Sequence, residues 1–142
     1  MSDFKAIEEV ASVEDFLRLR ENAGLSPKTR ELAERGLPNS LYGVQVKDGD
    51  HAVAMGRVVG DGGLNFEIVD IAVEPAYQGK GLGRVVMQHI MAYLEQAALP
   101  KAYISLIGDE PAFYERFGFK SVRPASDGMY MLAPVKDSYL AK

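Results

Sequence analysis

The stretch Val69-Asp70-Ile71-Ala72-Val73-Glu74-Pro75-Ala76-Tyr77-Gln78-Gly79-Lys80-Gly81-Leu82-Gly83-Arg84 decides the fold. Its opening residues are β-branched or small and apolar apart from Asp70, the composition of a half-buried strand. After it the period changes. Leu82, Val85, Val86, Ile90, Tyr93, Leu94 and Ala97 recur at helical spacing, and Pro100 closes the run, so a helix is expected over 82–98. Gly79, Gly81 and Gly83 stand between the two patterns. Glycine permits backbone conformations and close approach that a side chain blocks, and the first N–H groups of the helix have no partner within it. Such a turn either suits a phosphate, with the helix dipole, Lys80 and Arg84 adding positive potential, or serves only as a tight strand-to-helix connection. The commoner nucleotide patterns do not fit. There is no Gly-x-x-x-x-Gly-Lys-Ser/Thr, and the third glycine falls one residue too early for a dinucleotide fingerprint.

Working outward toward the amino terminus, Leu64 to Val73 follows Asp61-Gly62-Gly63, and Ala52 to Val59 follows Asp48-Gly49-Asp50, which in turn follows Leu41 to Lys47. Three antiparallel strands joined by turns are the expected reading. Before them, Ser12 with Asp15 three residues on predicts a helix cap, the helix ending near Gly24. Ser26-Pro27 predicts a second helix, stopped by Gly36 and Pro38, and Phe4 to Glu9 a short opening strand. Toward the carboxyl terminus, Tyr103 to Ile107 reads as a buried strand and Pro111 to Phe117 as a short helix. Phe119 to Val122 and Met129 to Leu132 read as closing strands. The order is β-αα-βββ-α-β-α-ββ: an α/β protein of the α+β type, with a mixed, mainly antiparallel sheet of six to seven strands and about four helices.

Gln78-Gly79-Lys80-Gly81-Leu82-Gly83, after the strand Val69 to Val73, resembles the Gln/Arg-x-x-Gly-x-Gly/Ala turn of the GNAT (GCN5-related N-acetyltransferase) superfamily. A second segment, Phe113-Tyr114-Glu115-Arg116-Phe117-Gly118-Phe119, is similar to the helix and strand that complete the acyl-CoA cleft in that superfamily. The resemblance implies a sheet whose fourth and fifth strands splay apart to admit the pantetheine arm, and acetyl-CoA as co-substrate. It also implies that Ile71, Ala72 and Val73 offer backbone groups to the pantetheine or to the oxyanion. The backbone of Gln78, Gly79, Lys80, Gly81, Leu82, Gly83 and Arg84 would hold the diphosphate, with Phe113 on the cofactor side. Many relatives place an asparagine where this chain has Glu110-Pro111-Ala112, and the run from Pro111 to Phe119 looks like the arylalkylamine acetyltransferase version.

Acyl transfer to an amine needs a base. An alkylammonium with a pKa of about 10.4 is almost wholly protonated at neutral pH, and freeing it costs roughly 4 to 5 kcal/mol at pH 7. Glu67, eleven residues before Gln78, resembles the base position of the superfamily's histone and arylalkylamine acetyltransferases. Asp70 resembles the acidic residue of glucosamine-phosphate acetyltransferases. Strand alternation puts Glu67, Val69, Ile71 and Val73 on one face and Asp70 on the other if no bulge intervenes. Each carboxylate has the alternative duty of satisfying neighbouring groups at a strand end, and water is a third candidate for the base. Tyr114 matches the family's general acid, which protonates the departing thiolate; its alternative is packing beside Phe113 and Phe117.

Composition bounds the rest. The chain has 142 residues, no cysteine, 47% hydrophobic and 25% charged residues and a net charge of -4. Disulfides, thiolate nucleophiles and cysteine metal sites are excluded, and His51 and His89 lack paired ligand spacing, so no metal is expected. No run is long and apolar enough for a membrane span, and no nucleic-acid partner is expected. A single domain over 1–142, located in the cytoplasm, is the expectation. The acceptor site is expected from the two early helices with Gly24-Leu25-Ser26-Pro27 and from the tail around Ser126-Asp127-Gly128-Met129-Tyr130. Asp127 or Glu67 would pair an ammonium there, with Tyr42, Tyr130 or Phe66 as an apolar wall. The expected function is acetyl transfer from acetyl-CoA directly to a primary amine of a small molecule. The alternatives are a protein lysine or amino-terminal acetyltransferase and a non-catalytic acyl-CoA sensor. A homodimer through the late strands is implied by the resemblance alone.

Overall fold

The computed structural model describes residues 3–140. Contacts divide the chain into two compact units, Met1–Leu106 and Ile107–Lys142. The first carries one five-stranded sheet whose spatial order follows the sequence. The strands are β1 (Phe4–Ile7), β2 (Tyr42–Asp48), β3 (His51–Gly60), β4 (Asn65–Val73) and β5 (Tyr103–Leu106). β1 to β4 pair antiparallel, and β5 joins β4 in parallel. Turns of two and four residues suffice between β2, β3 and β4, whereas the parallel step to β5 needs a crossover, supplied by α3 (Leu82–Ala97).

α1 (Val13–Asn22) starts where Ser12 Oγ accepts the Asp15 N–H at 3.1 Å, as its sequence spacing implies. α2 (Arg30–Gly36) starts later than Ser26-Pro27 suggests: Thr29 Oγ1 caps it, accepting from Leu32 N at 3.2 Å. Phe16 and Leu19 of α1 and Ala33 of α2 close over Ala52, Met55 and Ala72 of the sheet. α3 covers the other face with Leu82, Val86, Met87, Ile90 and Leu94. Alternation along β3 separates the two layers. Met55 belongs to the α1 and α2 core, while a Cβ at the next residue, Gly56, would stand 2.6 Å from Ile71 Cδ1 and 2.7 Å from Val86 Cγ1.

The β3–β4 ladder pairs Arg57 with Val69 but Met55 with Ala72, so Asp70 and Ile71 together oppose Gly56. This is a β-bulge, with Asp70 in the left-handed region at φ 60°. It corrects the alternation expected from sequence. Glu67, opposite Val59, and Val69, opposite Arg57, remain on the α1 face. Asp70 joins them there, bonded to Arg57, and Ile71 turns to the α3 face.

The second unit contains α4 (Pro111–Glu115) and α5 (Asp137–Leu140). Among the described residues there is no strand in it, so the expected strands Phe119–Val122 and Met129–Leu132 are corrected, and the sheet has five strands rather than six or seven. The mixed α/β class and the element order up to α4 stand as expected. Each run is only four residues long, and Pro124, Gly128 and Pro134 interrupt or flank them. A run that short holds as a strand only against a partner with a shared apolar face. Met129, Tyr130, Met131 and Leu132 instead expose 60 to 86% of their surface.

Candidate active site

β4 passes from a paired strand to an open one along its length. Its ladder with β5 runs from Asn65 opposite Tyr103 to Ile68 opposite Leu106 and ends there. Val69 to Val73 therefore have no partner in β5, and the bulge also takes Asp70 and Ile71 out of the regular β3 ladder. The ladder stops because β5 itself ends at Leu106, so the β5 side of this stretch of β4 has no strand partner.

The glycine turn follows directly. Pro75–Tyr77 forms one turn of 3-10 helix, pinned by Tyr77 Oη donating to Asp48 Oδ2 at 2.8 Å, and Gln78 Nε2 donates to Val73 O at 3.2 Å. Gly79 and Gly81 have φ of 79° and 81°, which explains glycine at both positions. Neither would bring a Cβ within 4 Å of another atom, so the space in front of both is open. Gly81 is the N-cap of α3, with no side-chain cap and no acidic residue in the first turn. The helix start is uncapped, and Lys80 and Arg84 beside it are exposed and in no ion pair among the described residues.

The acidic candidates differ in their surroundings. Glu67 is half-buried and has no ion pair or side-chain hydrogen bond among the described residues. Asp70 is occupied: Oδ1 accepts from Arg20 Nη1 and Oδ2 from Arg57 Nε, both at 2.5 Å. Only 9% of its side chain is exposed. Glu74, at the end of β4, is buried, bonded to Arg18, and accepts from Asn22 Nδ2 at 3.2 Å. Arg18 also donates to Ala52 O at 2.9 Å. Sequence reasoning passed over Arg18, Arg20, Arg57 and Glu74. A signal existed for Arg20, which shares the buried stripe of α1 with Phe16 and Leu19.

In the second unit, Tyr114 lies on α4 with Phe113 packed edge-on against it at 5.0 Å, and Phe113 also meets Phe117 at 5.5 Å. Gly118, at φ 92°, ends this helix. Burial first, then the negative charges of Asp109 and Glu110, push the Tyr114 phenol above its ordinary value. The other acceptor candidates have ordinary duties. Phe66 is core, and Tyr42 stacks on Tyr93 and donates to Glu8 at 2.6 Å. Asp127 pairs with Arg123 at 3.0 Å. Among the described residues no group of three or more His, Cys, Asp or Glu side chains is arranged for a metal ion. No helix among them is long and apolar enough to cross a membrane.

The first unit thus joins an antiparallel sheet with a parallel fifth strand, a bulged fourth strand and a glycine turn that opens a helix. Residues 8–119 match the family described as acetyltransferase (GNAT). The chain belongs to that family. A solved structure from meticillin-resistant Staphylococcus aureus, a protein of unknown function described as a probable acetyltransferase, is 48% identical with a TM-score of 0.87, covering 92% of this chain and 99% of that one. The uncharacterized N-acetyltransferase ycf52 of Pyropia yezoensis is 32% identical over 88 residues, which is 61% of this chain and 51% of that protein. Serotonin N-acetyltransferase 2, chloroplastic, of Oryza sativa subsp. japonica is 36% identical over 77 residues, 54% of this chain and 38% of that protein. The matched region thus spans about half or less of these curated relatives' length.

Proposed function

We propose that this chain transfers an acetyl group from acetyl-CoA directly to a primary amine of a small molecule. The observation that carries the reading is the open, uncapped start of α3, with left-handed Gly79 and Gly81, at the end of a strand that has lost its β5 partner. The diphosphate would take the N–H groups from Gly79 to Arg84 and the pantetheine the free edge of β4 from Ile71 to Val73. The amine nitrogen attacks the thioester carbonyl carbon, the tetrahedral oxyanion is stabilised by backbone N–H groups, and the C–S bond breaks. Glu67, unpaired on the α1 face of β4, accepts the ammonium proton through water. Asp70 is the weaker candidate for that task, because both its oxygens are already bonded to guanidinium groups. Tyr114 gives its proton to the CoA thiolate and regains one as the nitrogen sheds its second proton on forming the amide. The serotonin acetyltransferase relative and the Pro111 to Phe119 run favour an arylalkylamine as the first acceptor class to try.

Calorimetric titration with acetyl-CoA, followed by thiol release with arylalkylamines, polyamines, amino sugars and a lysine peptide, tests this. Binding with turnover on a free amine supports it. Transfer to the lysine peptide alone replaces it with the protein-acetylating alternative, and binding without any turnover with the sensor. Gly81→Glu should weaken acetyl-CoA binding about 100-fold, through its carboxylate in the diphosphate cradle, while the left-handed strain costs the fold only about 1–2 kcal/mol. Tyr114→Phe should keep acetyl-CoA affinity and lower kcat about 100-fold. In the unmodified protein, kcat/KM should climb with pH as the amine loses its proton. Since the Tyr114 pKa is raised, its acid form persists above the ordinary phenol value, and no alkaline fall should begin below about pH 10. A fall near pH 8 that survives Tyr114→Phe would remove Tyr114 from the reaction.

A further inference from the structure

Asp70 is a junction as well as a strained residue. Its two oxygens accept from arginines on different elements, and each guanidinium continues to a different connector. Arg20 Nε and Nη2 donate to Ser26 O at 3.2 and 2.8 Å, and Nη2 also to Ser26 Oγ at 3.0 Å. Arg57 Nη1 donates to Ser40 Oγ at 3.1 Å. The Phe16 ring lies under both, with its centroid 5.7 Å from the Arg20 guanidinium carbon and 5.9 Å from that of Arg57. Ala23 and Leu25 at the start of the α1–α2 connection pack against the core, and Gly24 and Leu25 N–H bond back to α1, but the rest of it is open. Residues 26–29 are exposed, and Arg20 is the one side chain among the described residues that bonds Ser26 and also reaches the sheet.

We propose that Arg20 is a positioning residue for the amine: through Asp70 it sets the α1–α2 connection at Ser26 in register with the bulge of β4. The proposal rests on the acyl-transfer reading above. The reacting nitrogen and carbonyl carbon must come within about 3–3.5 Å, and an error of about 1 Å costs on the order of 100-fold in rate. The bulge presents the backbone that would hold the acyl group, and Glu67 stands on the same face as Arg20's partner Asp70. Arg20 is the only side chain among the described residues that bonds both the bulge and the α1–α2 connection. A planar guanidinium spans both partners at once in a fixed fork, which the single ammonium of lysine does not reproduce.

Arg20→Lys and Arg20→Met, compared with the unmodified full chain, test this with tryptamine and spermidine as probe amines. The expected result for Arg20→Met is acetyl-CoA affinity within about twofold and a KM for the amine raised about tenfold, with Arg20→Lys intermediate. Hydrogen exchange should quicken together at the bonded amides of Gly24 and Leu25 and at amides 70–72 in both variants. Unchanged amine KM with only a lower melting temperature would overturn the proposal, leaving Arg20 a purely structural residue. A tenfold loss of acetyl-CoA affinity would overturn it too, by moving Arg20 into the donor's cradle. If the unmodified protein acetylates neither probe, the acyl-transfer reading fails on these amines while exchange still decides the linkage: quickening at only one of the two segments sinks it.

Discussion

The two faces of β4 are built by different means. Toward α3, Ile71 packs beside Val86 and Ile90 over a glycine, contacts that depend on shape and removal from water. Toward α1, Ala72 joins the apolar core of Phe16 and Leu19, but charge is added to it: Asp70 is held by Arg20 and Arg57, and Glu74, just past the strand, by Arg18. On the apolar face a change of volume is felt through close packing, but no unpartnered polar group is created. On the charged face, removing one partner strands the others away from water. The bulge at Asp70 and Ile71 lies between these regimes, with one residue given to each face.

Asp70→Ala breaks the contrast hardest. It leaves two mostly buried guanidinium groups without their shared carboxylate, and chemical denaturation should show a loss of about 3–5 kcal/mol. Asp70→Asn sharpens the result, because asparagine tolerates the left-handed region and keeps an acceptor, so a cost near that of alanine would point to charge rather than geometry. On the apolar side Gly56→Ala should cost about 1–3 kcal/mol by overpacking against Ile71 and Val86. A neutral outcome would show that Ile71 repacks freely. Away from both faces, Ser12→Ala removes the cap of α1 and should cost about 1 kcal/mol in the same assay.

These contrasts account for what the chain disclosed. α3 was legible because its apolar residues repeat every three or four positions, and the glycine turn because left-handed backbone leaves a signature in residue type. The meander was legible from its turns. The charged face was not: Arg20 and Asp70 are 50 residues apart and Arg18 and Glu74 are 56 apart, and no local pattern links them. The bulge was illegible for a related reason, because Asp70 takes glycine-like φ without being glycine. Strand propensity at 119–122 and 129–132 misled, since propensity reports fit to a pleated surface and not the presence of a neighbour. Glu67 and Tyr114 carry no local pattern of their own, and the family resemblance alone singles them out.

The long separation of the charged pairs also implies a sequence of events in time. The β2–β3–β4 meander closes through turns of two and four residues, whereas the Arg20–Asp70 contact must first bring together points 50 residues apart. The meander is therefore expected to form early and the α1 clamp to lock late. Stopped-flow measurements on Asp70→Ala should then show faster unfolding with a nearly unchanged refolding rate. On that account the ion pairs around Asp70 act chiefly as a brake on opening, and how long a finished molecule lasts depends on them more than how quickly it is made.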